Sequence, residues 1–267
     1  MAPSLKVTFI GTATAILEIN GVRFITDPFF SPAGSKFVVS PDLAIEVGED
    51  PALQLNQLPT IDAVLLSHED HPDNLDPLGR QLLDGRHVFT TMDGAKNLAP
   101  RPAVQGLGPW DEKGVSIAGK RFHIIGAPTK HVTGNECIGF IITGEDFGVG
   151  REGLPNAIYF SGDTVHIPEL KKMADRYHIR AAVMNLGNAH IPVDLSVPKG
   201  PHYQITMDGK SAAQLFREIK ADVLIPMHYE SWKHFTQFGQ ELRQTFQDEG
   251  VSDKVHWLDA GKQLAIL

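Results

Sequence analysis

The order of apolar and polar positions predicts a strand-rich first third. Residues 6–10, 13–19 and 22–26 are short β-prone runs, and Asn20-Gly21 separates the last two. Asn-Gly is a strong hairpin signal, because both residues tolerate the positive φ of a two-residue turn. Residues 63–67 (AVLLS) are apolar without alternation, the pattern of a strand covered on both faces. Further strands are expected at 88–91, 115–117, 121–127, 139–143, 157–161, 181–186, 223–226, 255–258 and 263–266. Segments 75–83, 167–177, 208–219 and 232–248 read as helices. Residues 29–60 carry several Pro and Gly and only short apolar pieces. So long an irregular stretch inside a domain is expected to be a lid or binding loop, and Phe29, Phe30 and Phe37 would let it pack.

No linker or low-complexity segment interrupts the chain, so residues 1–267 read as one domain. Its halves look alike. Each begins with strands, and each carries a helix–strand unit that ends in histidine: AVLLSH at 63–68 and VLIPMH at 223–228. Two packed sheets with helices outside, a four-layer α/β/β/α sandwich, is the expected fold.

A formal net charge of −8, spread along the chain, argues against a nucleic-acid backbone as partner. Cys137 is the single cysteine, so no intramolecular disulfide can form, which fits a reducing compartment. The opening MAPSLKVTFIG lacks the charged and apolar regions of a signal peptide, and no run approaches the length of a membrane span. A cytoplasmic protein acting on a small molecule is expected. The lid aromatics could equally face a neighbouring copy, so a homo-oligomer stays open.

Candidate chemistry gathers where strands end. His68, His71 and Asp73 lie in SHEDHPDN, His131 in GAPTKHVTG, Asp163 in YFSGDT and His228 in PMHYESW. Strand ends are rigid places from which loops converge on a site. Neutral imidazole and carboxylate suit zinc and similar divalent ions. Four histidines and two carboxylates could hold two ions, which can share a water and lower its pKa towards ~7. Each residue has a plainer reading alone: Asp163 as a helix cap, His228 as a core histidine, His68 and His71 as capping or loop residues.

The order of these motifs resembles the metallo-β-lactamase superfamily, and most closely its L-ascorbate-6-phosphate lactonase-like branch. The segments GTATAILEINGVRFITDPFF, MNLGN and TMDGKSAAQLFREIKADVLIPMHYESW carry the likeness over nearly the whole chain. The superfamily's first motif is usually H-x-H-x-D-H. Without a gap, HEDHPDN would put Pro72 at the Asp position, and proline cannot ligate. With one residue inserted after His68, His71 and Asp73 take the second His and the Asp, and Asn74 takes the final His.

The resemblance then implies one metal on His68, His71 and His131. A second would sit on Asp73 and His228, with Asp163 bridging. Because Asn74 offers an amide where an imidazole is usual, the second site would be weak, empty or tuned to manganese or iron; Asp70 could replace the ligand or orient a histidine. Asp27, in ITDPFF, reads either as a residue behind the metals or as a turn-former. Tyr229 and Trp232 read either as pocket lining or as core. The implied activity is that of a metal-dependent hydrolase, with Asp73 orienting a metal-bound hydroxide that attacks a small ester or lactone. Phosphodiester cleavage is the runner-up, and a mononuclear binding or non-hydrolytic protein the reading of another class. One or two divalent ions per chain are expected, zinc first, with manganese or iron as alternatives.

Overall fold

The computed structural model describes residues 2–40, 43–134, 136–197 and 199–267. The chain lays down β1 (Leu5–Gly11), β2 (Thr14–Ile19) and β3 (Val22–Thr26) as antiparallel neighbours. It then leaves the sheet for a hairpin, β4 (Lys36–Ser40) and β5 (Leu43–Glu46). It returns as β6 (Ala63–Leu65), β7 (His87–Thr91) and β8 (Val104–Leu107), all running parallel to β3.

A second sheet follows. It contains β9 (Glu112–Ile117), β10 (Lys120–Ala127), β11 (Gly139–Gly144), β12 (Asn156–Phe160) and β13 (His178–Asn185). After a small hairpin of β14 (His190–Pro192) and β15 (His202–Gln204), β16 (Leu224–Met227) joins it beside β13. β17 (Gln263–Ala265) closes the first sheet against β1.

The inner faces of the two sheets share one apolar core, in which Phe24 meets Phe122 edge-on at 5.2 Å between ring centroids. Truncating such a ring costs about 3–5 kcal/mol. Outside the second sheet pack two amphipathic helices, α2 (Gly209–Glu218) and α3 (Gly239–Asp248), numbered after the short α1 (Met92–Asn97). Asp208 caps α2 by accepting from the Ser211 backbone N–H at 2.7 Å. The four-layer expectation holds, but the layers differ. The first sheet is covered by α1, a 3₁₀ turn at Gly79–Leu83 and the segment 53–58 rather than by long helices.

Several boundaries differ from expectation for local reasons. The helix expected at 75–83 shrinks to its 3₁₀ turn, because the buried Asp76 carboxylate takes the Gly79 N–H at 2.7 Å. Segment 167–177 coils as a 3₁₀ helix over Pro168–Asp175. The helix expected from 232 begins at Gly239, since Trp232 and Phe235 are buried in a cluster with Phe29 and the β4–β5 hairpin. Segment 255–258 makes a single bridge, Val255 to Leu224, and Trp257 turns outward against Phe246 and Tyr229. Within the stretch expected to be irregular, β4 and β5 pair with each other; positions 41 and 42 of that stretch lie outside the described residues. No helix among the described residues is long and apolar enough to cross a membrane.

Candidate metal centre

β3 and β6 run parallel, as do β12, β13 and β16, with β10 in the same sense. Their C-terminal ends therefore deliver Asp27, Ser67, His68, His131, Asp163, Asn185 and His228 to one edge of the sandwich. The two sheets close up there. A Cβ on Gly162, which has φ +56°, would lie 2.8 Å from the Ser67 Cβ, so only glycine fits between these strand ends. Asp27 and His228 themselves hold positive φ, 29° and 54°. Such conformations cost free energy in residues with a side chain and are sustained only by the surrounding fold.

Two ligand groups result. The donor atoms of His68, His71 and His131 lie within 4.8 Å of one another, and so do those of Asp73, Asp163 and His228. In the first group the outer ring nitrogens of His68 and His131 are held from behind. The Asp27 carboxylate accepts from the Ser67 N–H at 2.6 Å and from the Ser67 hydroxyl at 2.9 Å. The same hydroxyl stands 2.8 Å from His68 Nδ1. With its proton given to Asp27, the hydroxyl accepts from Nδ1–H, and His68 Nε2 presents a lone pair to the site. His131 Nδ1–H donates to the Ile205 carbonyl at 2.8 Å, to the same effect.

The electrostatics favour neutral rings at His68 and His131. Burial, then the neighbouring His71 and His131, hold His68 well below the usual histidine range. Burial lowers His131 too, against the pull of Asp163. Behind them, burial and then the Asp163 charge push Asp27 up to about 8, although Ser67 and Asn74 oppose this.

The second group is an ion pair. Burial works against ionisation of Asp163, but the adjacent His228, then His131 and His68, hold it well below the carboxylate range. Burial pulls His228 down, and the Asp163 charge outweighs it and raises it. His228 Nδ1 lies 3.1 Å from Asp163 Oδ1, yet off the N–H direction, so neither buried ring nitrogen makes a hydrogen bond. The Asn185 amide donates to Asp163 Oδ1 at 2.7 Å.

These residues fit a divalent cation. His68 Nε2 faces His71 Nδ1 at 2.9 Å, and two lone pairs cannot stand so close without a proton or a cation between them. The unbonded nitrogens of His228 are likewise what a cation would satisfy. Metal binding would displace the His228 proton and leave both groups as neutral nitrogen and anionic oxygen donors.

The remaining candidates divide. A cavity of about 310 Å³ opens over both groups, lined by Asp70, His71, Asp73, His131, Asp163 and His228 among others. Asn74 does not line it. Its side chain is buried and donates to Asp27 Oδ2 at 3.2 Å. Tyr229 and Trp232 do not line it either, which corrects the pocket reading. The left-handed His228 turns the chain so that Tyr229 packs on Trp257, and Trp232 meets Phe29 edge-on at 5.4 Å between ring centroids. His190 and His202 sit on the β14–β15 hairpin outside the cavity wall, although Ile191 reaches it.

Four contributors escaped the sequence reading. Ser67 and Asn185 were visible only as polar residues closing apolar strands, in LLSH and VMNL. Cys137 precedes β11 and sets its Sγ 3.2 Å from the Asp163 carbonyl and 3.6 Å from His68 Nδ1. Asp76 accepts from Phe30 N at 3.1 Å and Ser31 Oγ at 2.5 Å, and so ties the start of segment 29–60 to the site loop.

Comparison with known proteins agrees with this construction. The model of the Beta-lactamase superfamily domain matches residues 22–229. A protein named metal-dependent hydrolase from Methanopyrus kandleri is 25% identical over 270 residues, which covers 97% of this chain and 98% of that one. The solved isothiocyanate hydrolase from Delia radicum gut bacteria superposes with a TM-score of 0.77 at 22% identity, covering 98% of this chain and 99% of its own. A possible metal-dependent hydrolase from Veillonella parvula gives 0.76 at 18% identity over 100% of both chains. Two sheets that deliver imidazoles and carboxylates to a common edge, and a family match over most of the chain, lead to one conclusion: this chain belongs to the metallo-β-lactamase superfamily and is a metal-dependent hydrolase.

Proposed function

We propose that the protein hydrolyses a small, uncharged, largely apolar ester or lactone. The observation that carries this reading is the cavity wall. Above the ligand groups it is formed by Val38, Ile45, Val132, Ile191, Leu195 and Phe235, and no lysine or arginine lines it among the described residues. Phosphate esters are normally gripped by such cations, so phosphodiesters and phosphorylated lactones are disfavoured. From the lactonase-like branch the reaction class is kept, and the phosphate is not.

His68, His71 and His131 would hold one ion, and Asp73, Asp163 and His228 a second. The imidazole–carboxylate donor set suits zinc, and the carboxylate-rich second group suits manganese or iron as well. Bound ions supply a nucleophile from water near neutral pH and polarise the scissile carbonyl. Asp73, at the cavity floor, accepts the proton of the attacking water through a carboxylate oxygen. As the acyl C–O bond breaks, it returns that proton to the departing oxygen. The apolar wall positions the acyl or alkyl part and excludes bulk water.

The same wall would take a neutral apolar electrophile of the kind named for the structural relative, so an isothiocyanate belongs in the substrate panel. The test is turnover of aryl esters, lactones, an aryl isothiocyanate and a bis-aryl phosphodiester by protein whose metal content is measured at the same time. We expect at least one neutral class to exceed the phosphodiester by about 100-fold in kcat/KM, a difference of about 2.7 kcal/mol. Preference for the phosphodiester would sink the proposal.

A further inference from the structure

The second ligand group has one imidazole and two carboxylates, and Asn74, which stands where the family motif brings another imidazole, is turned towards Asp27 and away from the cavity. A different imidazole faces that cavity. His234 lines it beside Asp73, Asp163 and His228. Its Nδ1 is buried without a hydrogen-bond partner. Leaving a buried polar nitrogen unpaired is costly, and a ligand on that nitrogen would recover the cost.

The loop that carries it is well placed. Phe235 packs edge-on against the His228 ring at 4.9 Å and lies 5.0 Å from the His234 ring. The Trp232 ring is 6.0 Å from His234 on the other side and is anchored in a buried cluster with Phe29, Ile45 and Val47. Thr236 N and Gln237 N both donate to the Gly187 carbonyl, which pins the loop to the end of the second sheet. Burial holds His234 below the usual histidine range, while the charges of Asp73 and Asp163 draw positive charge towards it.

We propose that His234 is the additional nitrogen donor of the second cation position, in the role that Asn74 cannot fill. This rests on reading the site as a metal centre. It also explains how HEDHPDN can be compatible with a second ion: the imidazole comes from the far end of the chain instead of from the motif.

The test is metal titration of the stripped full-length chain, by calorimetry with Zn²⁺ and by visible absorption with Co²⁺, whose bands report coordination independently of turnover. We expect the wild type to take up two ions. His234→Ala and the better-filling His234→Gln, both checked for a cooperative melt, should bind the second ion at least tenfold more weakly and lose its cobalt bands, whereas Asn74→Ala should keep them. Unchanged second-ion affinity in both His234 variants overturns the assignment, as does a wild type that binds one ion only. A wild type that binds no ion defeats the metal-centre reading itself.

Discussion

In the group of His68, His71 and His131, two rings are held from behind: Asp27 and Ser67 orient His68, and the Ile205 carbonyl orients His131. In the group of Asp73, Asp163 and His228 the one ring is not. His228 stands on a strained backbone with both ring nitrogens unbonded, and Asn185 is the one side chain that donates to the Asp163 carboxylate among the described hydrogen bonds. The first group is organised before any ion arrives. The second is a buried ion pair with unfulfilled nitrogens, and an ion would complete its order. Preorganised ligands lose less entropy on binding, so the first position should be the tighter.

The largest effect should come from Asp163→Ala, which removes a carboxylate donor of the second group. kcat/KM should fall by at least about 1,000-fold, some 4 kcal/mol of transition-state stabilisation. A fall of less than tenfold would show that the second group is dispensable. Next comes chelation of the purified protein. Loss of an ion present at about 100 times its Kd removes about 2.7 kcal/mol, and at about 2–4 °C per kcal/mol in a chain of this size Tm should drop by roughly 5–10 °C. An unchanged melting curve would separate stability from metal in both groups.

Two finer substitutions test the contrast itself. Ser67→Ala should weaken the first ion by about 10–100-fold and spare the second, and Asn185→Ala should do the reverse. Competition with a chromophoric chelator reads both constants, and equal effects on the two ions would erase the distinction drawn between the groups. The smallest expected effect is at the cavity mouth. Val38 is 77% exposed, so Val38→Asp should raise KM for an apolar ester about two- to fivefold at unchanged kcat. A lowered KM would reverse the reading of the wall.

Much of this was legible in the linear pattern. AVLLSH and VLIPMH announce buried strands that end in histidine, and the structure places them as β6 and β16, one in each sheet. The Asn20-Gly21 hairpin and the capped helix α2 follow from local chemistry and occur where expected. The failures share a cause. The apolar spacing from 232 suggested a helix, yet Trp232 and Phe235 satisfy their burial against Phe29, Ile45 and Val47 from the other end of the chain. Likewise β14 and β15 pair only with each other, so neither carries the periodicity of a sheet core.

The sequence by itself determined which chemistry is possible here, because imidazole and carboxylate side chains were concentrated after apolar runs and strand ends converge in a sandwich of this kind. It also determined the fold class, because the alternation of strand and helix periods leaves few ways to bury both sheets. Only the tertiary structure decided how the donors divide, three and three, and which residues stand behind them. It turned Asn74 away from the cavity, carried Tyr229 and Trp232 into packing, and brought His234 to the cavity wall. Those outcomes depend on distances between residues far apart along the chain. A single sequence records each residue's preferences but not the separations that long-range packing imposes.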